Sequence, residues 1–452
     1  MDKWFTSIVY KSGKSHHFMH PLVRNITGIF AIPCMVGWMG CSLNTPEPSS
    51  PSPALNLYSE QNLSLTSLSW DRVNVTGFKE YIILQSPNPI PDSPVPDLSF
   101  EVTVLKRIDN LDITTLAVSI PLLSPQICYK LYCAVDDRFL YSANLCVNPQ
   151  MDVVDGFFDR GCHEPGNDEA VMLDRFNSRM IALNYKTGEI TSMISDIVLN
   201  FPTMEMSTWN NVTNVFGSDQ SPSWLRKYNF PSLTGSNTKQ FNNVLWSANV
   251  HNQFVFVAID DFNKGFQVLS RNNLTTLDFK EGSFDNQNIA VFPGDTMTVL
   301  TLGANESKKY LVNNEGDIVS EQFIPARIFQ LDRQHNCADG STLFIGGTNG
   351  NIINPAGENV ATLITNVNSF IQLPRFSADE TKVVYLVTAN NEIRLEVADL
   401  SNLPSITLLQ SFVVPTLNYA DIIPDGDIIY VLGTNFNSSI PLTFILKYPF
   451  PS

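Results

Sequence analysis

One pattern recurs seven times between residue 162 and the C-terminus of this 452-residue chain. Each repeat starts with a polar tight turn, followed by an apolar strand, an Asn-rich loop and a second strand. Successive turns lie 40 to 46 residues apart and are centred on Gly166, Asn210, His251, Gly294, Asp339, Asp379 and Asp425. A period of this length is typical of a four-stranded propeller blade. The spacing therefore predicts a seven-bladed β-propeller over residues 148–452.

The strands inside the repeats have the composition of buried strands. Residues 254–259 (Phe-Val-Phe-Val-Ala-Ile) and 298–302 (Thr-Val-Leu-Thr-Leu) are almost continuously apolar. Such strands are buried on both faces, as they are when one sheet lies between two others. Asp-Gly and Pro-Gly pairs at the turns supply the positive φ angles that short hairpins need.

The phase of the repeats predicts how the ring closes. The last repeat ends at its third strand, Leu442–Tyr448, before a fourth strand is reached. An open blade would expose unpaired edge groups. We therefore expect residues 147–157, just before the first repeat, to pair beside residues 442–448 and supply the missing strand.

The turns also resemble a known repeat family. Ser377-Ala-Asp-Glu, Cys337-Ala-Asp-Gly and Pro424-Asp-Gly are similar to the turns of the WD40-like repeats in TolB-type propellers. The resemblance covers about 300 residues and is weaker in the first three repeats. It implies the same propeller fold.

Residues 54–147 precede the repeats and have a different strand spacing. Seven short predicted strands with Pro-rich turns in this segment are typical of a β-sandwich. The arrangement resembles a fibronectin type III domain, with Trp70, Tyr81 and Tyr129 at that family's core aromatic positions on strands B, C and F. Strand alternation places Leu131 and Cys133 on the same side as Tyr129. A spacer or a binding platform is the role that the resemblance implies.

The N-terminus resembles a bacterial lipoprotein signal. An apolar run over residues 26–41 is too short to span a bilayer comfortably and ends in Gly40 and Cys41. The resemblance implies that residues 1–40 are removed and that Cys41 carries the lipid. Residues 41–53, rich in Pro and Ser, then form a tether. An ordinary signal peptide remains the alternative, because Trp38 stands where such signals usually carry Leu.

Export permits disulfide bonds, and five cysteines follow Cys41: Cys128, Cys133, Cys146, Cys162 and Cys337. A bridge between Cys128 and Cys146 is conceivable, but we expect buried free thiols instead. No cysteine or histidine spacing indicates a metal site, and no cofactor is predicted.

One face of the predicted ring is the candidate ligand face. The loops between the second and third strands are rich in Asn, and they contain Asn177, Asn263, Asn305, Asn349, Asn390 and Asn435. Amides suit hydroxylated ligands or peptide backbones, although Asn also simply favours turn geometry. Trp224, in the polar segment 220–226, is the predicted exposed aromatic of this face, with packing beneath its loop as the alternative.

Catalytic motifs are absent from the sequence: it has neither a Gly-x-Ser-x-Gly elbow nor a His-Glu-x-x-His pair. After the leader only His163, His251 and His335 remain. Each lies in or beside the predicted turn between the first two strands of a blade, on the face opposite the Asn-rich loops. No catalytic residue is therefore predicted. The net charge of −16 argues against nucleic-acid binding.

These observations predict an all-β protein, a fibronectin type III-like sandwich followed by a seven-bladed propeller. We expect a non-enzymatic, lipid-anchored protein of the bacterial cell envelope, at the outer membrane, that binds a protein or glycan partner through the propeller face. The alternative is a carbohydrate-active enzyme, a lyase or hydrolase, with its site at the mouth of the central channel.

Overall fold

A computed structural model describes residues 54–96, 98–99, 101–119, 126–148, 151–174, 176–195, 203–220, 223–241, 244–260, 265–282, 288–302, 307–324, 344–346, 349–364, 369–389, 392–435 and 441–451. All the secondary structure in these ranges is β-strand, and residues 51–452 form one compact unit. Within these ranges the chain holds no helix of the length and apolarity that crossing a bilayer requires. The predicted leader and tether, residues 1–53, lie outside the described residues.

The N-terminal part is a sandwich of two antiparallel sheets. Its eight strands are β1 (Leu57–Asn62), β2 (Leu65–Trp70), β3 (Phe78–Ser86), β4 (Thr103–Ile108), β5 (Thr115–Ser119), β6 (Ile127–Val135), β7 (Arg138–Tyr141) and β8 (Leu145–Val147). One sheet has the order β1-β2-β5, and the other has the order β4-β3-β6-β7, with β8 also paired to β6. One of the seven strands predicted from the sequence covers residues 140–147. The structure has two strands there instead, because β7 and β8 pair with opposite ends of β6.

The aromatic residues singled out in the sequence form the sandwich core. Trp70, Tyr81 and Tyr129 are buried in one cluster with Leu131 and Cys133, as the alternation of β6 predicts. The rings of Trp70 and Tyr81 meet edge to face with centroids 5.5 Å apart. Burial raises the pKa of the Cys133 thiol to about 11, so this thiol stays protonated at neutral pH.

A disulfide bond joins Cys128 and Cys146, so the expectation of free thiols is wrong for this pair. The two residues lie directly opposite each other on β6 and β8, with Cα atoms 4.0 Å apart. Cys133 is a buried free thiol, as expected, and Cys162 is buried in the cluster between blades 1 and 2. The register of a strand pair decides which thiols meet, and spacing along the chain does not reveal it.

We expect the disulfide to stabilise the sandwich by about 3 kcal/mol, because it closes a loop of 18 residues in the unfolded chain. The measurement is urea unfolding of the Cys128→Ala/Cys146→Ala double variant. Cys133→Ala serves as the control for a buried thiol outside the bond. Equal loss of stability in both variants would contradict the prediction.

Seven further sheets follow along the chain. The first strand, β9 (Asp152–Asp155), belongs to the last sheet; the others are β10 (Phe158–Cys162), β11 (Glu169–Asp174), β12 (Arg179–Asn184), β13 (Glu189–Ile194), β14 (Thr203–Trp209), β15 (Val212–Gln220), β16 (Ser223–Asn229), β17 (Thr234–Gln240), β18 (Val244–His251), β19 (Phe254–Asp260), β20 (Gly265–Ser270), β21 (Thr276–Glu281), β22 (Asn288–Phe292), β23 (Met297–Leu302), β24 (Ser307–Val312), β25 (Ile318–Ile324), β26 (Phe344–Gly346), β27 (Asn351–Ile353), β28 (Asn359–Thr362), β29 (Phe370–Phe376), β30 (Lys382–Ala389), β31 (Glu392–Asp399), β32 (Thr407–Val414), β33 (Asn418–Asp425), β34 (Ile428–Asn435) and β35 (Leu442–Pro449).

These strands form seven blades in chain order. Blades 1 to 4 are β10–β13, β14–β17, β18–β21 and β22–β25; blade 5 is β26–β28, blade 6 is β29–β32, and blade 7 has the order β33-β34-β35-β9. Blade 5 has three described strands, and its predicted turn at Asp339 lies outside the described residues. The other six predicted turns lie between or beside the first two strands of their blades.

Alternating side chains on the second strand of blades 1 to 4, 6 and 7 hold the ring together. On β19, Phe254 and Phe256 are buried against blade 4, whereas Val255 and Val257 are buried against blade 2. Seven such apolar clusters each join two consecutive blades, and one of them joins blade 7 to blade 1. The sheets therefore form a closed seven-bladed propeller, which explains the continuously apolar strands in the sequence.

The ring closes where the phase of the repeats predicts. Strand β9 pairs antiparallel with β35, with Asp155 opposite Leu442 and Asp152 opposite Ile445. The salt bridge between Lys447 Nζ and Asp152 Oδ2, 2.6 Å long, adds to this seam. The predicted pairing of residues 147–157 with the last strand is confirmed.

The sandwich contacts the propeller at the same seam. The Ser64 N–H donates to Lys447 O (2.8 Å), and the Lys447 N–H donates to Ser64 Oγ (2.7 Å). The neighbouring Leu65 is buried in the cluster between blades 6 and 7. The turn between β1 and β2 thus fixes the sandwich to the closing strand of the ring.

Candidate functional site

The loops between the second and third strands of the blades lie on one face of the ring, which we call the B–C face. The structure places Asn177, Asn349 and Asn435 in these loops or at the strand ends beside them. Asn263, Asn305 and Asn390 lie outside the described residues. The predicted ring of amides is therefore described in three of its six positions.

Asn177 has a local structural role. Its backbone N–H donates to Asp174 Oδ1 (3.1 Å), and its side-chain Nδ2 donates to Asp174 Oδ2 (2.6 Å). Asp174 itself is fully buried and also accepts from Arg179 Nε at 2.9 Å. These bonds favour turn geometry over ligand binding as the reason for Asn at this position. Asn349 likewise accepts, through its backbone oxygen, from the N–H of Ile364.

The expectation that Trp224 is an exposed loop aromatic is wrong. Trp224 is the second residue of strand β16, because the connection before it is only two residues long. Its side chain is 5% exposed and packs in the cluster between blades 1 and 2. The Arg226 guanidinium covers the ring, with its carbon 3.7 Å from the ring centroid. Trp224 thus packs in the core and offers no free face for stacking.

A different aromatic residue is exposed on the B–C face. Phe176, immediately before Asn177, is 73% exposed. It lies edge to face against Phe157, with ring centroids 4.7 Å apart, and Phe157 is itself 4% exposed. Sequence reasoning missed Phe176, although an aromatic residue inside a predicted loop was the available signal.

Charged and polar side chains gather on the opposite face, where blade 7 meets blade 1. Lys186 forms salt bridges with Asp168 and Asp425, both 2.7 Å long. The Tyr185 hydroxyl lies 2.8 Å from Asn167 O and 3.1 Å from Asp425 Oδ2. Hydrogen bonds to the two carboxylates raise the pKa of Lys186, and burial raises the pKa of Tyr185.

Two carboxylates share one ammonium group, so one negative charge of this group is left without a counter-charge. The Lys186 ammonium group also lies between the two carboxylates, where a glycosidase pair holds its substrate. The group connects residues of two blades, and its chemistry is that of a structural clasp.

Two of the three histidines lie in the predicted turns. His163 is on this opposite face, where its Nε2 donates to Asn167 O (3.1 Å) and its ring lies edge to face against Tyr185. His251 ends strand β18, and His335 lies outside the described residues. Burial lowers the pKa of both His163 and His251. In the part of the chain that the structure describes, no three His, Cys, Asp or Glu side chains lie close enough together to hold a metal ion.

The lowered pKa of His163 predicts acid sensitivity. Burial is the main cause, Asp421 and Asp425 oppose it, and Arg375 adds to it. The unfolded chain binds the proton more readily than the folded protein, so stability falls as the pH drops below about 6.5. We expect His163→Gln to flatten the decline of Tm between neutral and mildly acidic pH. An unchanged slope in this variant would contradict the assignment.

Comparisons with known proteins identify no family. The sequence matches no protein-family profile and no curated protein. Among solved structures, the chain is similar to the crystal structure of the Cps50 (Swd1) beta-propeller domain of Myceliophteria thermophila. The two are 11% identical, with a TM-score of 0.48, over 66% of this chain and 99% of that one. The ring of seven sheets, rather than this likeness, establishes the propeller.

Proposed function

We propose that the protein is an exported, non-enzymatic scaffold that binds a protein or glycan partner through the B–C face of its propeller. The proposal rests on Phe176, which is 73% exposed and packs against the buried ring of Phe157. An exposed aromatic side chain with a fixed orientation contributes large contact area at low entropic cost. On the opposite face, the Lys186 ammonium group between the two carboxylates supports a role without catalysis.

Two features support the extracytoplasmic part of the proposal. The bond between Cys128 and Cys146 suits an oxidising compartment. The lipoprotein-like sequence before Cys41 supplies a route to a membrane surface. We therefore place the protein in the bacterial cell envelope, at the outer membrane, anchored by a lipid on Cys41.

The sandwich is proposed to be a fibronectin type III-like spacer. A three-stranded sheet facing a larger one, with Trp70, Tyr81 and Tyr129 in a shared core, supports this assignment. Its contact with the propeller through Ser64 and Leu65 holds the two parts in one orientation.

The test of the binding face compares two exposed phenylalanines. Phe176→Ser removes the aromatic side chain of the B–C face, whereas Phe323→Ser removes one that is 66% exposed on the outer strand of blade 4. Each tagged variant is used as bait for a pull-down from detergent-solubilised envelope. Each is also tested for binding to a glycan array. We expect Phe176→Ser to lower recovery of the partner about tenfold or more, and Phe323→Ser to leave it unchanged.

Stability measurements accompany this comparison. Loss of the contact with Phe157 should cost at most about 1.5 kcal/mol, so both variants should stay folded. Equal recovery with Phe176→Ser and wild type would overturn the assignment of the B–C face. The anchor is tested separately, by mass spectrometry of the N-terminal peptide and by fractionation of Cys41→Ser.

A further inference from the structure

The strongest unassigned feature is a cavity of about 400 Å³ between blades 1 and 2. It lies at the outer strands, where the end of β13 meets β16 and β17. Its lining includes Ser195 from blade 1 and, from blade 2, Arg226, Tyr228, Ser236 and Asn237. None of these residues belongs to the B–C face. The volume is within the range of ligand pockets, about 300–1,000 Å³.

A glycine creates this space. Strands β16 and β17 carry a bulge after which Tyr228 is opposite Gly235. The outer two strands of blades 1, 3, 4 and 6 contain the same bulge, but the equivalent outer residue has a side chain: Ile190, Thr276, Ile318 or Leu408. A Cβ built on Gly235 would be no closer than 4.0 Å to any atom. The space beside Tyr228 is therefore open because blade 2 departs from its neighbours.

Arg226 is the charged group of the cavity. Its guanidinium lies over the Trp224 ring, and no carboxylate pairs with it in the described ranges. Tyr228 packs beside it and is 3% exposed, with its hydroxyl closed off from solvent. A ligand in the cavity would therefore bond to Arg226 and to the other polar groups of the wall. Burial raises the pKa of Tyr228, and the nearby Arg226 opposes that rise.

The remaining lining is neutral and, apart from Ile194 and Gly235, carries hydrogen-bonding side chains. Ser195, Asn237 and Thr238 present hydroxyl or amide groups, and Ser236 Oγ donates to Lys227 O at 3.3 Å while keeping its lone pairs. One guanidinium among several neutral hydrogen-bonding groups matches a ligand with one carboxylate and several hydroxyls. The protein's net charge of −16 disfavours polyanions and leaves small ligands with a single negative charge.

We propose that the cavity between blades 1 and 2 binds the acidic sugar unit of a saccharide, with Arg226 on the carboxylate and Ser195 and Asn237 on hydroxyls. The site is separate from the proposed partner face, so either proposal can fail while the other holds. Arg226 would form the charge-assisted bonds and the hydroxyl and amide groups would orient the ring.

The test is calorimetric titration of the full chain with glucuronate, using glucose and acetate as comparison ligands. We expect glucuronate to bind and the two comparison ligands to bind at least about tenfold more weakly, because each lacks half of the recognised groups. Acetate binding as tightly as glucuronate would overturn the saccharide part of the proposal. Absence of glucuronate binding would overturn it entirely.

Three variants locate the binding. Gly235→Val fills the cavity as the other blades do and should abolish binding while leaving Tm unchanged or higher, since Val favours strands. Arg226→Gln should weaken glucuronate binding at least about tenfold, and Asn237→Ala about threefold or more. Arg394→Gln, on the third strand of blade 6, is the charge-matched control. Glucuronate binding that survives Gly235→Val and Arg226→Gln would place the ligand elsewhere.

Discussion

A protein that lacks residues 443–452 is expected to lose the cooperative folding of the whole propeller. The deletion removes all but the first residue of strand β35, whose Phe444, Ile445, Leu446 and Tyr448 are at most 1% exposed. Each large buried side chain stabilises a fold by about 2–5 kcal/mol. Four of them together match or exceed the whole stability of a typical domain, about 5–15 kcal/mol.

The deletion also removes the strand between β34 and β9. Strand β34 then keeps only β33 as a partner, and β9 loses its only pairing among the described strands. The measurement is thermal unfolding followed by circular dichroism, with limited proteolysis as a second probe. A protein that lacks only residues 451–452 is the control, and it should melt like the full chain. A sharp transition at the original Tm in the longer deletion would show that the ring does not depend on this seam.

Replacing Asp421 is expected to be the most damaging single substitution. Asp421, on the inner strand of blade 7, is fully buried, and its Oδ1 lies 2.6 Å from Nη2 of Arg375 on the inner strand of blade 6. The same oxygen accepts from the N–H of Ile422 at 2.9 Å. Asp421→Asn leaves the Arg375 charge buried without its counter-charge, which typically costs about 3–5 kcal/mol.

An exposed pair provides the control for this prediction. Glu392 and Arg394 form a salt bridge whose side chains are 41% and 48% exposed, and such pairs contribute about 0–1 kcal/mol. Chemical unfolding of Glu392→Gln should therefore differ little from wild type. The double variant Arg375→Met/Asp421→Leu should recover much of the loss, because it buries no unpaired charge. If Asp421→Asn costs no more than Glu392→Gln, the pair contributes nothing.

The architecture of the ring was predictable because it follows from patterns of residue type along the sequence. Turn residues such as Asp379 and Asp425 recur at a regular period, and alternating apolar residues of strands such as β19 reveal burial on both faces. The phase of the last repeat was enough to predict the pairing of β9 with β35. All of these features can be predicted from residue types and their spacing along the chain.

The candidate sites were harder to predict because they depend on tertiary contacts. Trp224 was predicted to lie in a loop because nothing in the sequence shows that the connection before β16 has only two residues. The Phe176 ring packs against Phe157, which lies in the connection between β9 of blade 7 and β10 of blade 1. The bond between Cys128 and Cys146 depends on strand register. The cavity beside Gly235 is visible only when the outer strands of several blades are compared.

The seam of the propeller also dictates the order in which the chain can mature. Lys447 bonds to Asp152 across 295 residues of sequence, so the earliest strand of the ring has no partner until the latest has been synthesised. Closing so long a loop is entropically costly and slow. Until then blade 7 is incomplete, and the interval between synthesis of β9 and synthesis of β35 is when proteases and self-association threaten the protein most.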